Sequence, residues 1–282
     1  MRKVILIGAI ILANIALVRA QQSGVNSVDR LEVLDSVPLL DIKQTSGFSK
    51  IFRDWGFVGN SLTSGEHEYL KEDGSKGYLD LYEYSWGQFI CNETGAKGVN
   101  FSKGGLTCRS WINQMWEKAK EDPKQAYIIS LGTNDRYKKY TVGDITTDID
   151  TTDYNKNPDT FAGNFAGIIQ RLQSIQPKAK FFLMTMPQTT DKGYNERVEV
   201  YNNVIRQMPE YFDNVYLIDI FKYAPVHTDA FKEQYKNGGH MNAAGYLYNS
   251  WILMTYIDWI VRNNFKEFAE VALIKENKSI YD

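Results

Sequence analysis

Ser61 closes the short apolar run Phe57-Val58-Gly59-Asn60-Ser61 and is followed by Leu62-Thr63-Ser64-Gly65. A run of this kind predicts a buried strand whose end turns sharply and leaves the serine exposed. Three further groups follow along the chain: Gly104-Gly105, then Gly132-Thr133-Asn134-Asp135 after a second apolar run, then Gly238-Gly239-His240-Met241-Asn242. A serine can attack an acyl carbon, a histidine can take its proton, and glycine backbone and an asparagine amide can donate hydrogen bonds to a developing oxyanion. Each residue also has a plainer reading. Ser61 and Asn134 could be helix caps and Gly105 a turn residue, and any of His67, His227 and His240 could be an ordinary surface side chain.

The elements that must carry these residues alternate. Strands are expected at Trp55–Val58, Val99–Phe101, Ala126–Leu131, Phe181–Met186 and Val215–Ile220. Helices are expected at Tyr82–Cys91, from Thr107 or Ser110 to Lys120, and at Phe161–Ile175, Glu196–Met208 and Ala243–Val261. Strands separated by helices form right-handed βαβ units, hence a parallel sheet covered on both faces. The polar stretch Glu66–Asp80 reads as a loop near the site, and the aspartate-containing stretch Tyr137–Asp159 as a solvated insertion, since it lacks the ligand spacing of a calcium loop. In open parallel sheets ligands sit beyond the strand C-termini, and Ser61, Gly105 and Asn134 all follow strand ends.

Residues 1–20 have the form of a signal peptide: Arg2 and Lys3, an apolar segment Val4–Val18, and a small residue at Ala20. Fifteen apolar residues fall short of the ~20 needed to span a bilayer, so no stable membrane insertion is expected after cleavage. An N-terminal leader segment is expected over residues 21–50 and one α/β domain over residues 51–282. Without Arg2, Lys3 and Arg19 the 32 basic residues fall to 29 against 34 acidic ones, a formal charge of −5 without long single-sign blocks. Nucleic acid is therefore not an expected partner. The 18 tyrosines and 6 tryptophans could line a sugar-binding cleft as well as a core. Cys91 and Cys108 are the only cysteines. In an exported protein they could be oxidised, but only the distance between them decides. No His/Cys cluster suggests a metal site, and no cofactor is expected.

In order and spacing the four blocks resemble the SGNH (GDSL-like) hydrolases, named for serine, glycine, asparagine and histidine. The resemblance covers most of residues 52–262. It implies a three-layer α/β/α, flavodoxin-like fold with about five parallel strands, and a serine esterase acting on acetyl or other small acyl esters; the exported location and aromatic content make O-acetylated carbohydrate the first substrate to test. It assigns Ser61 as nucleophile and His240 as base, with Ser61, Gly105 and Asn134 forming the oxyanion hole. Two positions depart from the family pattern: Asn60 stands where Asp is usual in the first block, and Asn237 stands where an aspartate normally precedes the histidine by three residues. The expectation is that the Asn237 oxygen, or a main-chain carbonyl, orients His240. The same departures leave a second reading open, a glycan-binding protein on a weakened hydrolase scaffold. Oligomeric state is not legible in the chain.

Overall fold

The computed structural model describes residues 35–274. The expected signal peptide lies outside the described residues. The central sheet has five parallel strands, β1 (Asp54–Gly59), β4 (Lys97–Ser102), β5 (Ala126–Ser130), β6 (Lys180–Met184) and β7 (Val215–Ile218), in the order β4-β1-β5-β6-β7. Numbered within this sheet alone, that order is 2-1-3-4-5, the flavodoxin-like winding. Apart from the partly exposed edge strand β4, the strands are largely apolar because both faces are buried. Successive side chains point to opposite faces, so Phe57 enters one hydrophobic cluster with Trp55, Trp86 and Phe182, and Val58 enters the other with Phe101, Trp111 and Tyr127.

Nine α-helices are described: α1 (Ser61–Ser64), α2 (Trp86–Thr94), α3 (Cys108–Lys120), α4 (Thr133–Tyr137), α5 (Phe161–Ile175), α6 (Lys192–Gln207), α7 (Ile220–Tyr223), α8 (Asp229–Tyr235) and α9 (Ala243–Asn263). The longer ones begin on side-chain caps that satisfy otherwise unpaired N–H groups. At α3 both expected capping residues act together. Thr107 Oγ1 accepts from the Ser110 N–H while Ser110 Oγ accepts from the Thr107 N–H, a reciprocal capping box.

The compact unit begins at Val37 rather than residue 51. The last part of the expected leader packs on α9, where the Phe48 N–H donates to Asp258 Oδ1 (2.7 Å) and the Lys43 N–H to Thr255 Oγ1 (3.0 Å). The stretch expected as a polar loop after Ser61 is instead an antiparallel hairpin, β2 (Glu66–Leu70) and β3 (Lys76–Asp80). Its strands are short and largely polar, so they lack the apolar signature by which a strand is recognised. A second small hairpin, β8 (Lys236–Asn237) and β9 (His240–Met241), pairs Asn237 with His240.

Cys91 and Cys108 are free and buried. They belong to the two different hydrophobic clusters, on opposite faces of the sheet, so no disulfide joins them.

Candidate active site

The register of the sheet brings the first three motifs together. Gly59 at the end of β1 is level with Ser102 of β4 and Ser130 of β5, its two neighbours. Ser61 therefore emerges between the turn that follows β4 and the turn that follows β5. It is the first residue of α1, where the backbone N–H has no partner within the helix. Asn60 caps that helix, its Oδ1 accepting from the Leu62 N–H at 3.1 Å, so an amide performs the capping role open to the usual aspartate. The Asn60 Nδ2 is buried without a hydrogen-bond partner among the described residues.

Gly105 adopts φ +76°, a left-handed conformation that glycine takes without steric cost, in the turn that follows β4. Asn134 lies on α4, and its Nδ2 donates to the Leu106 carbonyl at 3.0 Å, tying it to the turn that holds Gly105. The second hydrogen on Nδ2 is left for a ligand. The next residue, Asp135, accepts from the Cys108 N–H (3.0 Å) and so fixes the start of α3 to the same end of the sheet. Burial pushes its carboxyl up to about 6.

The three histidines have distinct surroundings. His227 is buried and stacked on Phe231, and burial first, then Lys236 and Lys232, holds its pKa down to about 4. His67 places Nδ1 2.9 Å from the Gly65 carbonyl oxygen and packs against Tyr84 and Tyr246. His240, carried on β9, is set among carboxylates. Its Nε2 lies 3.0 Å from Glu66 Oε1, and its Nδ1 lies 4.0 Å from Glu68 Oε2. Tyr78 meets the imidazole edge-on at 5.6 Å.

Glu66 and Glu68 are two residues apart on β2 and so project to the same side of the hairpin. Burial, then the nearby Asp80, raises Glu66, while burial lowers His240. Glu68 behaves oppositely. Hydrogen bonds from Lys76 (2.5 Å) and from the Gly239 N–H (3.0 Å) hold its carboxylate below the usual range.

The expected contact between Asn237 and the imidazole is not made. Asn237 Nδ2 donates instead to the Glu68 backbone carbonyl at 2.6 Å, and Nδ1 of His240 is buried without a hydrogen-bond partner among the described residues. Backbone pairing sets Asn237 opposite His240, but its side chain is drawn to the neighbouring hairpin. Among the described residues no main-chain carbonyl takes the role either. Among the described residues His240 makes no hydrogen bond to Ser61; the Nε2 position is taken by Glu66. Sequence reading missed both glutamates because the segment carrying them was read as loop. The alternation Glu66-His67-Glu68 is the one signal that could have placed two acids on a common face.

An apolar cavity of about 40 Å³ adjoins the site, lined among others by Leu62, Trp86, Met241, Ile252 and Leu253. Leu62 and Met241 directly follow the serine and the histidine in the chain.

Residues 57–247 match the model of the GDSL-like lipase/acylhydrolase family. The chain belongs to this family. It is accordingly a carboxylic ester hydrolase with the three-layer α/β/α architecture. No curated protein matches its sequence. Among solved structures, a Lactobacillus plantarum protein is 16% identical with a TM-score of 0.52, over 73% of this chain and 97% of its own. A psychrotrophic esterase, EstA from Pseudoalteromonas sp., is 15% identical at a TM-score of 0.49, over 75% of this chain and 100% of its own. A family two carbohydrate esterase from Clostridium thermocellum, solved with cellohexaose, is 16% identical at a TM-score of 0.48, over 76% of this chain and 65% of its own. At such identities the likeness is one of fold alone.

Proposed function

We propose that the protein is an exported serine esterase that removes small acyl groups, acetyl first among them, from a carbohydrate. Ser61 Oγ attacks the ester carbonyl while His240 accepts its proton and returns it to the departing alcohol, leaving an acyl-Ser61 that water hydrolyses by the same route. The N–H groups of Ser61 and Gly105 and the Asn134 amide receive the oxyanion. For this to run, His240 Nε2 must exchange Glu66 Oε1 for Ser61 Oγ, in keeping with the loose hydrogen bonds common in unliganded sites. The observation that carries the reading is the in-register ending of β4, β1 and β5, which gathers the serine and both partner motifs at one sheet edge.

Export rests on the signal-peptide form of residues 1–20. A short acyl group is supported by the small apolar cavity beside Leu62 and Met241. A sugar is supported by Tyr78, whose ring stays exposed on the hairpin beside His240. The test is release of acetate from a chromogenic ester and from acetylated polysaccharides, comparing the protein with Ser61→Ala. Turnover lost in Ser61→Ala supports the reading, and turnover unchanged removes the serine mechanism.

The occupation of Nε2 by Glu66 favours a second reading, glycan binding without turnover. Polysaccharide binding by a protein that releases no acetate from any of these esters would select it.

A further inference from the structure

Neutral imidazole acts as a base through one nitrogen only if the other is held in the N–H form by an acceptor, and an ionised acceptor also stabilises the imidazolium formed in the transition state. The residue three before His240 is an amide whose nitrogen is already committed to the Glu68 backbone carbonyl. With Nε2 reserved for the serine, the acceptor must face Nδ1. That nitrogen is buried and unpaired, and the carboxylate facing it belongs to Glu68. We propose that Glu68, on the β2–β3 hairpin, is the positioning residue that holds His240 through Nδ1, a carboxylate supplied from a different element than the β8–β9 turn. This rests on the Ser61–His240 reading above.

Three observations favour Glu68 over Glu66. Glu68 sits on the Nδ1 side, and a movement of about 1 Å brings the 4.0 Å separation within hydrogen-bond range. Its charge is held by Lys76 and the Gly239 N–H, whereas Glu66 packs against Gly104 on the Nε2 side, where the serine proton must arrive. The turn before the histidine is also shaped around it. Gly238 adopts φ +61°, and a Cβ there would collide with the Glu68 carboxylate, so the chain leading into His240 wraps that group closely. Asn237 then has a different task, bracing β2 from below through its amide.

The experiment compares Glu68→Gln, Glu68→Asp, Glu66→Gln and Lys76→Met on an acetate ester across pH, alongside the imidazole titration of His240 followed by NMR. The groups facing His240 are Glu66, Glu68, Tyr78, Asp80, His67 and Lys236, so the substitutions change one of these at a time or, with Lys76, the partner of one. Glu68→Gln should lower kcat by about 100-fold or more with KM within about threefold, as amide replacement does in serine triads. It should also move the His240 titration to lower pH, because the carboxylate that favours the imidazolium is gone. Glu68→Asp should recover part of kcat. Lys76→Met removes the cation beside Glu68 and keeps the carboxylate, so it should raise the His240 titration, the opposite of Glu68→Gln. Glu66→Gln should cost less than about fivefold. The proposal is overturned if Glu68→Gln keeps kcat within about threefold, if Glu66→Gln is the more damaging change, or if the His240 titration in Glu68→Gln is unmoved. The NMR titration tests Glu68 even if no ester is turned over, so failure here is distinguishable from failure of the esterase reading.

Discussion

His240 sets the pH behaviour. Only the neutral imidazole can take the serine proton, and burial lowers its pKa, so turnover should rise with pH around a midpoint below the ordinary histidine value of about 6.5. A kcat profile measured from pH 4 to 8 checks this, and a midpoint above 7 would contradict it. Asn134 is the oxyanion donor most open to substitution, because the other two are backbone groups. Asn134→Ala should reduce kcat by roughly 10²–10³ with a smaller change in KM, the usual cost of one such donor. Its link to Leu106 will also be lost, so a melting curve should accompany the kinetics. Ser61, Gly105 and Asn134 were legible as chemistry-bearing residues because each follows a predicted strand end, and His240 because the block around it, between Gly238-Gly239 and the last helix, resembles the fourth block of the family. Glu68 was not legible, since its role depends on a fold-back of the chain that brings residue 68 against residues 237–240.

At the scale of elements, the five sheet strands and the long helices could be read from the chain because a doubly covered parallel sheet writes its strands as bounded apolar runs. Phe161–Ile175 is found with the bounds its periodicity gives, between the Thr160 cap and Pro177. Helices α1, α4, α7 and α8 were not visible. They span four to seven residues, too short for a helical period to show, and are set by caps and packing. The polar β2–β3 hairpin escaped for a related reason: it is tied down by Tyr246 Oη donating to the Glu66 carbonyl (2.7 Å) and by Asn237, from residues far along the chain. The junction of α3 and α4 gives a stability prediction. Asp135 binds its proton more tightly folded than unfolded, because burial raises it from 3.8 to about 6, so its contribution to stability falls as pH rises between those values. Asp135→Asn keeps an oxygen for the Cys108 N–H and removes the buried charge. It should stabilise the fold at pH 7 by up to about 2 kcal/mol, with the gain vanishing below about pH 4. Denaturant melts at pH 4 and 7 measure both arms.

For the molecule as a whole, the position of the apolar cavity couples core packing to substrate choice. Leu253→Ala on α9 should cost about 2–5 kcal/mol as a core truncation and, by enlarging the space beside Leu62 and Met241, shift kcat/KM from acetyl toward butyryl esters. Unchanged chain-length preference in a folded variant would separate that cavity from the acyl group. Reducing agent should leave the melting temperature where it is, since the sheet stands between the two thiols. The same placement has a practical side. Burial pushes the Cys91 thiol up to about 12 and raises the Cys108 thiol as well, so neither presents a thiolate to an alkylating reagent while the protein is folded. A cysteine installed at Ser75, on the exposed tip of the β2–β3 hairpin, would then be the single site to accept a fluorophore or spin label. Movements of the hairpin that carries Glu66 and Glu68 could be followed on the otherwise native chain, with both original cysteines left in place.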